Sequence, residues 1–261
     1  MRWSQQRAHN GSRASSPQRA PSWKRALDIA CILAAVPAWV PLGLLIALAI
    51  KLVSRGPIFF KQERIGFLGR PFFCWKFRTM VPDAKPSLHE SHLDHLMSSN
   101  CAMTKLDSQG DPRLIPGGLW LRSLGWDELP QIINVLRGEM SLVGPRPCMA
   151  YEYARYQPRH RQRCETLPGL TGLWQINGKN RTTFEEMIDL DLRYVATKSL
   201  LLDLKIIFLT VPAIILQVCD LRRRRKPAQK VRAASTLAPP TDFNTPKNTS
   251  QKHLETAKRG P

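Results

Sequence analysis

Acidic residues are scarce in this chain. Its 261 residues hold 20 Asp and Glu against 39 Lys and Arg, a formal net charge of +19. An excess of that size points to phosphate-rich partners, either nucleic acid or an anionic membrane face. Zinc-finger, RNA-recognition and basic-zipper patterns are missing, so no nucleic acid is expected. The six cysteines (Cys31, Cys74, Cys101, Cys148, Cys164, Cys219) include no C-x-x-C pair. That argues against a disulfide frame or zinc site and fits free thiols in a reducing cytoplasm. No histidines stand at i,i+4. His89, His92 and His95, with Glu90 and Asp94 between them, drift around a helix and fit a solvated face better than a metal site. No internal repeat is visible.

What is present is organised from the ends inward. Arg2, Arg7, Arg13, Arg19, Lys24 and Arg25 precede an apolar run, and Arg222 to Arg225 with Lys226 follow the last apolar segment. Such clusters beside apolar helices suggest contacts to anionic lipid headgroups. Both tails, 1–23 and 219–261, are polar and basic with few large apolar residues, and are expected to be disordered. What remains is one domain of ordinary size, 56–218, behind an apolar segment at 24–55.

Residues 26–50 are almost wholly apolar. As a straight helix they would reach about 37 Å, enough for a hydrocarbon core of ~30 Å. Pro37 and Pro41 interrupt the middle, each removing a backbone donor. Bases flank both ends, Lys24 and Arg25 before, then Lys51, Arg55, Lys61 and Arg64 after. The positive-inside rule cannot place both clusters in the cytoplasm if the segment crosses. A helix–break–helix that enters one leaflet and returns meets both demands, and a bitopic span is the alternative. A cleaved signal peptide is not expected, because the apolar run is too long and lacks a small-x-small exit.

The rest predicts a mainly α protein with a small β-hairpin (α+β). Ile58–Ile65, a turn around Gly66 to Gly69, and Pro71–Phe77 form the hairpin. Residues 83–106 are polar, helical or irregular. Leu200–Val218 carries Asp203, Lys205 and Pro212, and is expected as an amphipathic helix in the membrane interface. Trp120, Trp126 and Trp174 are equally good as core residues or interface anchors.

The most informative stretch is Trp126–Pro147, WDELPQIINVLRGEMSLVGPRP. Leu129, Ile132, Ile133 and Leu136 recur at i, i+3, i+4, i+7, the pattern of one apolar helical face. Asp127 stands where an N-cap belongs, Pro130 falls in the first turn, and Gly138 can close the helix. By local physics alone this is a capped surface helix carrying two adjacent carboxylates at its mouth.

The whole string closely resembles the signature of the bacterial sugar transferases, the monotopic polyprenyl-phosphate phosphoglycosyl transferases that begin exopolysaccharide synthesis. The likeness extends over roughly residues 24 to 218: Lys24–Asp28, Ile50–Leu52, Gly56–Phe60, Gln62–Gly66, Lys76–Met80, Asp111–Arg113, Pro168–Gln175, and Leu190–Asp191 to Tyr194–Val195. It implies a monotopic membrane protein with a re-entrant N-terminal helix, here kinked at Pro37 and Pro41. The reaction it implies is transfer of hexose-1-phosphate from a UDP-hexose, galactose or glucose, to undecaprenyl phosphate with release of UMP. Asp127 would be the nucleophile, and Glu128 would hold Mg²⁺ with it. The dipole of a helix N-terminus suits a carboxylate kept ionised among phosphates. Arg122 and Arg146 match the family's basic residues and are candidate phosphate clamps, since a guanidinium fork meets phosphate oxygens in pairs. Lys76, Arg78 and Arg113 are further candidates, with a solvated surface role as the alternative for any one base.

By the same resemblance the enzyme would work on the cytoplasmic face of a bacterial inner membrane, among anionic lipids and downstream glycosyltransferases. A non-catalytic basic protein binding membranes or nucleic acid is the rival of another class. The chain departs from the family at Gly125-Trp126, where Ser-Leu is usual, and at Leu119 and Ser123, which are commonly basic.

Overall fold

The structure is a computed structural model, and it describes residues 21–81, 94, 96–99, 101–103, 111, 113–179, 181–216 and 219. Most of both basic tails and of 83–106, including His89, His92 and His95, lies outside the described residues.

The apolar segment is one helix, α1 (Ser22–Val53), with Pro37 and Pro41 inside it. The expected break into two helices is therefore not seen: the helix runs through both prolines. Burial along α1 is uneven. Lys24, Asp28 and Ile32 are buried near its start and Ile46 and Ile50 near its end, while Pro37, Pro41 and most of the turns between are exposed. Ile32 packs with Cys74, Ile132, Val135 and Met140. Ile46 and Ile50 pack with Phe77 and Ile115. Both ends of α1 thus rest on one body; between them Trp39 and Leu42 also pack against these clusters, while Leu33, Leu44, Leu45 and Leu48 on the other side are exposed.

The predicted bases beside α1 behave differently from expectation. Lys24 and Arg25 are not directed at lipid headgroups. Lys24 is fully buried and donates to the Val143 carbonyl (2.8 Å), Tyr194 Oη (2.8 Å) and Asp203 Oδ2 (2.6 Å). Arg25 donates to the carbonyls of Val135 and Leu136. A lysine taken out of water must find a counter-charge and acceptors, and the fold supplies both.

The predicted hairpin forms as β1 (Phe59–Ile65) and β2 (Pro71–Phe77), antiparallel, with Phe59 opposite Phe77 and Ile65 opposite Pro71. Two elements were not anticipated. The strands β3 (Ser141–Val143) and β4 (Gly169–Thr171) pair in parallel. They approach so closely that a Cβ at Gly169 would lie 2.0 Å from Gly144 N, and one at Gly172 2.3 Å from Gly144 O. Only glycine permits that contact.

Between the sheets run α2 (Gly118–Leu124), a 3₁₀ turn at Trp126–Gln131, and α3 (Ile132–Leu136). Beyond β3 come α4 (Ala150–Arg155), α5 (Pro158–Arg161), α6 (Leu173–Ile176) after β4, and α7 (Phe184–Thr197). The last starts on a full capping box, Thr183 with Glu186. Residues 200–216 form a final helix, α8. Asp203 and Ile206 are its buried side, while Leu201, Phe208, Val211, Ile215 and Leu216 are exposed, the two-faced helix its sequence predicts. Trp174 lies in the core with Met187, Ile188 and Phe184, whereas Trp120 and Trp126 are exposed.

Candidate active site

The carboxylate pair is presented by a sharper turn than the sequence suggests. Asp127 is not an N-cap. Gly125, left-handed at φ 72°, ends α2 and starts the 3₁₀ turn, so Asp127 and Glu128 both fall in that turn's first residues. Glycine adopts that left-handed backbone without the strain a side chain would bring. Gly138, at φ 76°, closes α3 as predicted. The apolar face is rotated from expectation: Asn134 and Val135 are fully buried, but Ile133 and Leu136 are exposed. Asn134 explains the rotation. It accepts from Trp75 N (3.1 Å) and donates to the Phe73 carbonyl (2.7 Å) and Glu139 Oε2 (2.6 Å), clamping α3 to β2.

That clamp sets the dyad against the hairpin. Asp127 is buried at 7% exposure. The Glu128 side chain is 40% exposed and receives Lys76 Nζ of β2 at 2.9 Å. Adjacent residues on one turn diverge in direction, and here one carboxylate is sunk while the other is open.

Arg146 comes from the turn after β3, which the glycine contacts hold against β4: Gly169 N donates to the Pro145 carbonyl (2.9 Å) and Gly144 N to Thr171 O (2.8 Å). Its Nη1 lies 3.7 Å from Glu152 Oε1, and both atoms are buried without a hydrogen-bond partner among the described residues. Burial works against the Arg146 charge, but Glu152, with Tyr156 and Glu128 behind it, outweighs this and raises its pKa. Arg163 braces the same turn by donating to the Arg146 carbonyl (3.0 Å) and to Tyr156 Oη (2.8 Å), and it pairs with buried Asp191. Arg64, 5% exposed, holds the Pro147 carbonyl at 3.0 Å. Burial, then Arg146 beside it, lowers its pKa.

The predicted bases therefore divide. Lys76 meets Glu128 directly, and Arg146 lies within electrostatic range of it. Arg113 grips Asp111 with two nitrogens, Nε at 2.8 Å and Nη2 at 2.6 Å. This contact first, with Arg122 contributing, holds the Asp111 carboxyl below its ordinary range. Arg78 is turned elsewhere: it donates to the carbonyls of Arg55 (2.8 Å) and Ser54 (3.0 Å), tying down the exit of α1.

Sequence reasoning missed Glu152, Arg163 and Lys179. Lys179 lies in the loop after α6, half-buried, with a left-handed backbone at φ 32°. A non-glycine residue there costs on the order of 1 kcal/mol. Burial lowers its pKa most; Glu128 and Asp127 push it up, and Arg146 and Lys76 push it down. Asp127, Glu128, Lys76, Arg146 and Lys179 are thus one electrostatic cluster. Only Glu152 had a local signal, five residues beyond Pro147 on a short amphipathic turn; Lys179 had none.

Among the described residues no group of three or more His, Cys, Asp or Glu could hold a metal ion by itself. Two neighbouring carboxylates do suit Mg²⁺, which commonly takes one or two carboxylates and completes its shell with water and substrate phosphate.

A protein-family model described as "Bacterial sugar transferase" matches residues 19–217. The chain is 40% identical over 193 residues to the exopolysaccharide production protein ExoY of Sinorhizobium fredii, covering 74% of this chain and 85% of that one. It is 40% identical over 201 residues to the UDP-glucose:undecaprenyl-phosphate glucose-1-phosphate transferase of Caulobacter vibrioides, 74% of this chain and 69% of the other. With the galactosyl transferase CpsE of Streptococcus agalactiae it shares 42% identity over 183 residues, 67% of this chain and 40% of that longer protein.

Proposed function

The chain belongs to the bacterial sugar transferase family, and on that premise we propose that it moves hexose-1-phosphate from a UDP-hexose to undecaprenyl phosphate, releasing UMP. Glucose and galactose are the favoured sugars, since relatives bear the names of glucose-1-phosphate and galactosyl transferases. The product, a polyprenyl-diphosphate hexose, starts an exopolysaccharide or surface glycan.

The observation that carries this reading is the buried Asp127 beside the open Glu128, with Lys76 on Glu128 and Arg146 and Lys179 in range. Breaking a pyrophosphate bond brings a nucleophile to a phosphorus already crowded with negative charge, so cations must surround the reacting carboxylate. Asp127 attacks the phosphorus that bears the sugar. A carboxylate–phosphorus bond forms, the bridging P–O bond breaks, and UMP leaves with that oxygen. An oxygen of undecaprenyl phosphate then attacks the same phosphorus and returns Asp127 to its carboxylate. Splitting the transfer in two suits a carboxylate nucleophile. Glu128, with Asp127, would hold Mg²⁺, which supplies further neutralisation of phosphate charge when bound. Arg146, paired with Glu152, would hold phosphate oxygens.

The anchor is read as non-crossing. Its start is fixed through Lys24 to Val143, Tyr194 and Asp203, and its end through Ile46 and Ile50 to Phe77 and Ile115. Both ends on one body support one membrane side, the cytoplasmic one. The exposed middle with Pro37 and Pro41 would enter the lipid, and the apolar side of α8 would rest in the interface.

The deciding experiment gives the wild type UDP-hexose labelled in its β-phosphate, without lipid acceptor. Label should appear on Asp127 and be absent from Asp127→Asn. Lipid-linked product formed without any labelled protein would mean a single displacement and end the covalent reading.

A further inference from the structure

The β1–β2 hairpin has two unlike faces. Residues opposite each other in an antiparallel pair share a face, and so do alternate pairs along it. Phe60 with Lys76 and Gln62 with Cys74 make one face, from which Lys76 reaches Glu128 and Cys74 enters the core. Phe59 with Phe77, Lys61 with Trp75 and Glu63 with Phe73 make the other. Of its rings Phe77 is buried and Trp75 half-buried, while Phe59 and Phe73 are exposed, Phe73 at 58%. The proposed reaction uses nothing on this outer face.

Rings and cations are layered on it. Phe59 lies nearly parallel to Phe77 at 5.5 Å and edge-on to Trp75 at 6.2 Å. Lys61 Nζ sits 4.3 Å from the centre of the Trp75 ring, and the Arg137 guanidinium 5.9 Å from it. A cation held by an aromatic ring needs no carboxylate to keep it there, so its charge stays available to an outside anion. Lys51 and Arg55, both exposed, add to that charge just before β1, and Glu63 is the acid on this face.

The borders of the face argue for what covers it. At one border is the end of α1: Phe77 packs with Ile46 and Ile50, and Leu52 and Val53 beyond them are exposed. At the other is the start of α1: Arg25 donates to the Leu136 carbonyl, and the next residue is the Arg137 that meets Trp75. The layered rings therefore lie between the two places where the membrane helix joins the body. Tryptophan gathers at the headgroup level of a bilayer, and clustered bases there attract anionic lipid.

We infer that the outer face of the hairpin, Phe59, Phe73 and Trp75 with Lys61 and Arg137, is a second membrane-docking surface, seated on anionic lipid headgroups. This depends on the anchor reading above, in which the exposed side of α1 enters lipid. Docked in this way, the hairpin carries Lys76 on its reverse face. The distance of Glu128 from the lipid is then set by this surface as well as by α1.

The test places the full-length chain in nanodiscs of phosphatidylcholine and phosphatidylglycerol in equal parts. Photoreactive p-benzoylphenylalanine replaces Phe73 or, in a second protein, Leu45 on the exposed side of α1. Irradiation of the first should give a lipid adduct by mass spectrometry, and a much smaller one in discs of phosphatidylcholine alone. Adding Lys61→Gln and Arg137→Gln should weaken docking by about fivefold for each cation removed, read as a lower adduct yield. Both of these side chains are exposed, so melting in detergent should stay close to that of the parent; the comparison of the two disc types needs neither change. A lipid adduct at Leu45 with none at Phe73 overturns this inference alone. A protein–protein adduct at Phe73 also overturns it, and makes the face a contact between copies of the chain. So does a lipid adduct equal in both disc types and untouched by loss of the cations. If neither position gives a lipid adduct, the anchor reading falls with it.

Discussion

Lys24 and Asp203 are separated by 179 positions, yet ammonium and carboxylate meet at 2.6 Å with both side chains sealed from solvent. Tyr194 joins them, donating to Asp203 Oδ1 at 2.8 Å. Removing one partner of such a pair leaves a buried charge uncompensated, at a cost of roughly 3–5 kcal/mol. Lys24→Met and Asp203→Leu should each lower the melting temperature in detergent sharply. The double variant should recover part of the loss, because a buried pair replaced by apolar residues is often close to neutral. A double variant as unstable as the sum of the singles would show that the residues act independently.

Glu152→Gln should leave the fold standing and weaken the donor. The carboxylate that most opposes burial at Arg146 would be replaced by a neutral amide of the same size. With less to aim the guanidinium, the KM for UDP-hexose should rise by about tenfold, the weight of one charged contact, with kcat less affected. Steady-state rates of UMP release check this, and Glu152→Asp should restore part of the difference.

Gly169→Ala should be far more harmful than its size suggests. The added Cβ would meet Gly144 N at 2.0 Å and Thr171 O at 2.5 Å, both backbone atoms. Strand pairing and the turn bearing Arg146 would have to separate, costing at least ~1–3 kcal/mol. Gly43→Ala is the control, because the added atom there would lie 4.0 Å from Phe77. Thermal melting and UMP release should both fall for the first and stay unchanged for the second.

The pH profile should report Lys179. Burial, more than any other effect, lowers its pKa, against the upward pull of Glu128 and Asp127; Arg146 and Lys76 lower it further. The form that can offset phosphate charge in this cluster is the ammonium, present below this pKa and lost as pH rises through it. UMP release should therefore decline on the alkaline side sooner than an ordinary lysine would dictate. Lys179→Arg, whose guanidinium stays charged, should carry activity to higher pH. An alkaline limb identical in the two proteins would assign it to another group.

The hairpin, the closing glycine of α3 and the two-faced α8 were legible because each rests on local rules of alternation, turn chemistry and periodicity. Trp126–Pro147 was legible as a string, and it led to Asp127, Glu128 and Arg146. The orientation of α3 was not, because the buried Asn134 gains three hydrogen bonds to β2 and Glu139 that no periodicity encodes. Nor was the parallel pairing of β3 with β4, whose strands are three residues each and too short to carry alternation. Lys24 looked like one flanking base among several. Its buried role depends on Asp203, and charge counting treats every lysine beside an apolar run alike. Lys179 has no motif: only the fold brings it toward the dyad.

The way α1 rests on the body by its two ends changes what the membrane segment is. A tether can be cut from its cargo; this helix cannot. Deleting residues up to Ser54 would remove the partner of Asp203, strip Ile32 from Val135 and Met140, and leave the carbonyls of Val135 and Leu136 at the end of α3 without Arg25. α3 follows directly on the turn that carries Asp127. Anchor and catalyst are therefore one folding unit, and a truncated, water-soluble version should emerge misfolded rather than merely unattached.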